Sequence, residues 1–175
     1  MQLSIVGCPD KERFRPYVRR AIKFYAEELI SSRMLENINL KVKFDRNIGD
    51  VFGYASVEAR TDYGKARDFL IEINPKIGAR HILKSLAHEM VHIKQYAYGD
   101  LNEYLTRWKG TRIEEGTDYY DHPWEIEAYM KEQILLEQFV NLGYHTIIDY
   151  IQDADRATRK ALQTTRNTSS KVANS

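Results

Sequence analysis

The chain has a single cysteine, Cys8, in 175 residues. No internal disulfide can form, which fits a reducing compartment, and a cytoplasmic location is expected. A lone cysteine far from other ligand types reads as a small buried residue rather than a metal ligand. No apolar run approaches about 18 residues, so no membrane-spanning helix is expected. The first ten residues lack a basic stretch followed by a long apolar one, so no secretory signal peptide is expected. Neither sign of charge is in excess, because 26 Lys and Arg stand against 25 Asp and Glu for a net charge of +1. That balance argues against nucleic acid or an anionic membrane as the main partner. Glycine-rich phosphate loops, nucleophilic-serine motifs and internal repeats are all missing.

What is present is enough for one domain with a real core, placed at residues 1–151. Residues 152–175 are polar and carry Arg156, Arg159, Lys160, Arg166 and Lys171, so they read as a partly disordered tail. Twelve tyrosines is a high count, and most are expected at core edges and clefts.

The most informative stretch is His88-Glu89-Met90-Val91-His92. It lies inside residues 79–97, where Ala79, Ile82, Leu83, Leu86, Met90, Ile93 and Ala97 recur at helical spacing. Two histidines four apart on a helix stack one turn above each other. Their rings can converge on one zinc ion, at about 2.0–2.1 Å from nitrogen to metal. Glu89 between them is then placed to take a proton from the attacking water. His88 and His92 fall off the core stripe, with Ser85 and Gln95. His81 shares that side two turns earlier and reads as an exposed histidine near the helix start.

The remaining elements follow from apolar periodicity. Residues 3–6 suggest a short strand, and Phe14, Val18, Ile22, Tyr25 and Leu29 mark a helix from about Pro16 to Ser31. Its basic residues Arg15, Arg19, Arg20 and Lys23 are expected to face solvent. Strands are expected over 39–44, 51–60 and 69–74, the last leading directly to the motif helix. The strand at 69–73 either forms part of the core or offers an edge to an extended substrate. Gly99-Asp100 should end the motif helix, and residues 107–113 suggest a small hairpin. Pro123 opens another helix, running to about Val140, with Asp121 or His122 as its cap. Residues 144–151 form a last apolar patch, read as a short helix.

A catalytic zinc usually takes three protein ligands and keeps one open position. Glu125 and Glu127 compete for the third place. On the helical wheel Glu125 shares a side with Tyr129, Leu136 and Val140, while Glu127 shares a solvent side with Lys131 and Gln138. A carboxylate aimed at the core side needs a counter-charge, which a zinc ion supplies. A structural ion pair is the other reading of Glu125, and His122 is a rival third ligand. The histidines also need outer acceptors, for which Glu132 or a backbone carbonyl is expected.

This order of elements resembles the zincin metallopeptidases, and within them the glutamate-ligand branch, the gluzincins. Glu125 and Ala128 match the Glu-x-x-Ala pattern of that branch, and Glu127 does not. The run Arg107-Trp108-Lys109-Gly110 and the run Asp121-His122-Pro123-Trp124-Glu125-Ile126-Glu127-Ala128 are similar to small phage and prophage metallopeptidases often labelled SprT-like. That resemblance covers roughly residues 71–136 and would put a phage-encoded chain in the host cytoplasm. SprT proteins themselves use a third histidine, and Tyr129 stands where many gluzincins have Asp. The resemblance implies an α+β zincin-like fold. In it a small, mostly antiparallel sheet packs on the N-terminal helix and the motif helix, and a C-terminal helix supplies the third ligand. It also implies one Zn2+ per chain, a peptide or protein substrate, and hydrolysis with Glu89 as general base. Tyr119, Tyr120, Tyr129, Tyr144, His122 and His145 are the possible donors to the developing oxyanion. The alternative is a zinc-binding, phage-associated or regulatory module without peptidase activity.

Overall fold

Alternation over residues 39–44 buries Leu40, Val42 and Phe44 and leaves Asn39 and Lys41 in solvent, which makes this run a strand with one wet face. The computed structural model describes residues 1–142 and Arg156. The expected patch at 144–151, with Tyr144 and His145, lies outside the described residues. So does the tail, apart from Arg156. Strands β1 (Gln2–Val6), β2 (Asn39–Phe44), β3 (Gly53–Arg60) and β4 (Ala66–Ile73) form one sheet in the order β1-β2-β4-β3. Helices α1 (Arg15–Leu29), α2 (Ser32–Leu35), α3 (Ala79–Tyr98) and α4 (Pro123–Asn141) complete the α+β architecture.

The sheet corrects the expectation of a mostly antiparallel arrangement. β1 pairs with β2 in parallel, β2 pairs with β4 in parallel, and only β3 with β4 is antiparallel. Alternation sets which face a residue takes but not the strand's direction. Direction comes from the connections. The α1–α2 crossover returns the chain to the end at which β1 began, and β4 inserts between β2 and β3. β4 is therefore an interior strand. Of the two readings of residues 69–73 the core strand is the one observed, and the open edge on that side belongs to β3, which pairs only with β4 among the described residues.

Ile5, Leu40, Val42, Phe69, Ile71 and Ile73 turn to the face covered by α1 and α3. The other face is polar. There Asn39 Nδ2 donates to Asp68 at 2.7 Å, and Lys43 bridges Asp45 and Glu72 at 2.7 and 2.9 Å. The Tyr54 hydroxyl also donates to Glu72. On α1, Val18, Ala21, Ile22, Tyr25 and Ala26 are buried at helical spacing. Arg15 and Arg19 differ from the sequence expectation. They reach β1, donating to the carbonyls of Ile5 (3.1 Å) and Leu3 (3.5 Å). Those carbonyls face away from β2, so the guanidinium groups cover an open sheet edge.

Helix α3 is buried almost all round. The expected apolar stripe faces α1 and the sheet, and the flank carrying His88 and His92 is covered by α4. Gly99 ends the helix in the left-handed conformation at φ 76°, with its N–H bonded back into the last turn. Between α3 and α4 the chain makes an excursion. It contains the hairpin of β5 (Arg107–Trp108) and β6 (Thr111–Arg112) and a 3-10 turn at Tyr119–Asp121. Lys109 and Gly110 both take positive φ (48° and 84°), as a two-residue hairpin turn requires. Trp108 from this hairpin packs near Trp124 at the start of α4. No helix of the described residues is long and apolar enough to cross a membrane.

Candidate metal centre

His88 and His92 lie one turn apart on α3 with their rings 4.8 Å apart, and each is only 8% exposed. Glu125 enters from the first turn of α4 at 4% exposure. Pro123 starts α4 there, with His122 at its N-cap position. The two Nε2 atoms are 3.1 Å apart. Glu125 Oε2 is 3.2 Å from His88 Nε2, and its Oε1 is 3.4 Å from His92 Nε2. One ligand atom from each of the three residues falls within 4.8 Å of the others.

The hydrogen bonds behind the rings decide what these atoms are. His88 Nδ1 faces Glu132 Oε2 at 3.0 Å, an acceptor, so Nδ1 carries the hydrogen. Lys84 holds the other oxygen of Glu132 at 2.9 Å. His92 Nδ1 faces Gln95 Oε1 at 2.8 Å. The Gln95 amide cannot turn round, because its Nε2 donates to Trp124 O and to Glu127 Oε2, both at 3.0 Å. His92 Nδ1 therefore donates as well. In the neutral tautomers both Nε2 atoms are then bare lone pairs, aimed at each other and at a carboxylate.

Two bare ring nitrogens and a carboxylate facing one another this closely favour a cation between them. Their spacing suits a metal ion. Ligand atoms 2.0–2.1 Å from a tetrahedral centre lie about 3.3–3.4 Å apart, and the three contacts above run from 3.1 to 3.4 Å. The buried group His88, His92 and Glu125 can thus bind a metal ion. In the metal-free protein a proton takes that place. Burial pulls the His88 pKa down, but hydrogen bonds to Glu125 and Glu132 outweigh it and raise it to about 9. For Glu125, burial works upward, and the bonds to His88 and His92 hold it down at about 2.

Glu89 is 5% exposed on the same helix and is absent from the ligand group. Burial raises its pKa, against the lowering pull of His92 and His88. Gly53 of β3 passes directly beside it. A Cβ built on Gly53 would sit 2.8 Å from Ile73 Cδ1, 3.0 Å from the Glu72 carbonyl oxygen and 3.3 Å from Glu89 Oε1, so a side chain here would crowd both β4 and the Glu89 carboxyl. A cleft of about 360 Å³ opens on the His88 side of the group, and one of about 190 Å³ on the His92 side. Gly53, Glu89 and Tyr119 line both.

Other expected residues are placed differently. Glu127 is not a solvent residue. It is half-buried, takes Lys94 at 3.0 Å, and fixes the Gln95 amide. The wheel missed this because Lys94 and Gln95 reach it from another helix. His122 is not a ligand. Its ring stacks on Trp124 at 4.4 Å and its Nδ1 meets Tyr119 O at 3.1 Å. Tyr129 sets its ring against His88 at 4.8 Å, and Tyr120 packs on Tyr129 at 6.0 Å. The hydroxyl that reaches the ligand group is that of Tyr119, which hydrogen-bonds Glu125. Burial, followed by the charge of Glu125, pushes the Tyr119 pKa strongly up, so it stays a donor. Glu132 serves as both ion pair and outer acceptor. Gln95 had no role in the sequence, although its place three residues after His92 puts it on the same flank.

Losing an outer acceptor typically costs about 10–100-fold in metal affinity. Gln95→Met and Glu132→Ala are each expected to show a loss in that range, measured by competition with a chromophoric chelator. Unchanged affinity in both would mean that these contacts do not orient the rings. No family model, curated protein or solved structure matches this chain.

Proposed function

We propose that the chain is a zinc-dependent peptidase of the zincin type, with His88, His92 and Glu125 as ligands and Glu89 as general base. The observation that carries this reading is the set of three converging acceptors, with an uncommitted buried carboxyl beside it. Two imidazoles and one carboxylate suit zinc, and three protein ligands leave a fourth position open. Zinc bound there would polarise a carbonyl and make a water acidic enough to attack at neutral pH.

The chain's own residues do the rest. Glu89 takes the proton from the attacking water and returns it to the leaving nitrogen. Burial raises its pKa, so it holds a proton more readily than an exposed carboxylate does. Tyr119 lines the cleft and would turn its hydroxyl from Glu125 to the oxygen on which charge develops. Glu132 and Gln95 keep both imidazoles in the tautomer that leaves Nε2 free. Among the described residues β3 has an unpaired edge beside Glu89, along which an extended peptide can lie.

The test is digestion of an unfolded protein by the purified chain. Cutting should stop with chelator and return with added zinc. If zinc binds but no unfolded protein is cut under any condition, the chain is a zinc-binding module and not a peptidase.

A further inference from the structure

The wider cleft, on the His88 side, has an aromatic wall. Tyr119 meets Tyr120 at 5.4 Å, Tyr120 meets Tyr129 at 6.0 Å, and Tyr129 meets His88 at 4.8 Å. Phe52 lines the same cavity from the loop before β3. These rings are not buried: Phe52 is 56% exposed and Tyr120 67%. Large rings held in water around one cavity gain little from folding and form a ready contact surface.

The charged groups lining this cavity, apart from His88, are all acidic: Asp50, Glu89 and Glu132. Glu132 is engaged by Lys84 and His88, and Glu89 is buried against Gly53 and held by the charges of His92 and His88. Asp50 is exposed and has no hydrogen-bond or ion-pair partner among the described residues. Ring faces attract a cation, and a free carboxylate beside them adds to that field. An apolar side chain could cover the rings but would leave Asp50 unused, and an acidic one would be repelled.

We propose that this cleft receives a lysine or arginine side chain of the substrate, lying against the tyrosine rings with its charge toward Asp50. The substrate class rests on the peptidase reading, but the cation site itself does not. The carboxylate of Glu125 sits against His88 and offsets part of the charge of a bound metal.

The test uses Nα-acetyl-lysine amide, Nα-acetyl-norleucine amide and Nα-acetyl-glutamate amide, titrated into the full chain carrying Glu89→Gln and followed by NMR. Norleucine matches the lysine stem without its charge. The lysine probe is expected to bind at least about fivefold more tightly than norleucine, with glutamate weakest. Adding Asp50→Asn should shrink that preference. No saturable lysine binding, equal or tighter norleucine binding, or a preference untouched by Asp50→Asn would overturn the proposal. The cut sites in an unfolded protein separate the two readings. Cuts without a basic residue on either side overturn the cation site and leave hydrolysis standing. No cuts, with the lysine preference intact, overturns hydrolysis and leaves the site.

Discussion

Glu125→Ala is expected to lower metal affinity by more than the roughly hundredfold upper range for losing an outer acceptor. The variant removes the one charged ligand of the three and leaves two neutral imidazoles to hold the ion. Glu127→Ala is the control, since it touches the site only through Gln95. It should cost no more than about tenfold. Chelator competition with both purified variants checks this, with circular dichroism confirming that they fold. The reverse order would displace Glu125 from the ligand set. The same titration should depend on pH. The His88 pKa of about 9 stands above its ordinary 6.5, so the metal must displace a proton below about pH 9. Affinity should rise with pH until that point. Stability of the metal-free chain should move the other way. The contribution of protonated His88 is fully present below 6.5 and is lost as pH rises through about 9.

Glu89→Gln should abolish most hydrolysis while leaving metal binding intact. General base catalysis is worth about 10²–10⁴ in rate, and glutamine keeps the shape of the side chain without accepting the proton. Glu89 contributes no ligand atom to the metal group, so metal content should match wild type. Stopped turnover with a full metal complement assigns the proton transfer to Glu89. Turnover equal to wild type would mean another base, and the peptidase mechanism above would fall. Loss of metal in this variant would instead show that Glu89 belongs to the ligand set.

Much of this arrangement was legible in the residues. His88 and His92 announce themselves because helical spacing alone fixes their relation. Glu125 could be separated from Glu127 because its neighbours on the wheel are apolar, and α4 buries that side. The role of Glu127 could not be read, because it depends on Lys94 and Gln95 reaching across from α3. Tyr119 hides for the same reason: nothing local distinguishes it from Tyr120, and only the 3-10 turn decides which hydroxyl reaches Glu125. Strand direction failed because alternation is blind to it. β4 reads as a strand leading into α3, but its seat between β2 and β3 is a property of three connections at once.

The excursion between α3 and α4 starts seven residues after one ligand and ends just before another. It is therefore a ring, pinned at its two feet by helix packing and by whatever cation His92 and Glu125 share. A nick in its outer turns, around Tyr104 or Glu115, need not release the C-terminal piece. Both fragments would travel together on a sizing column, and stripping the ion would loosen one of the two pins.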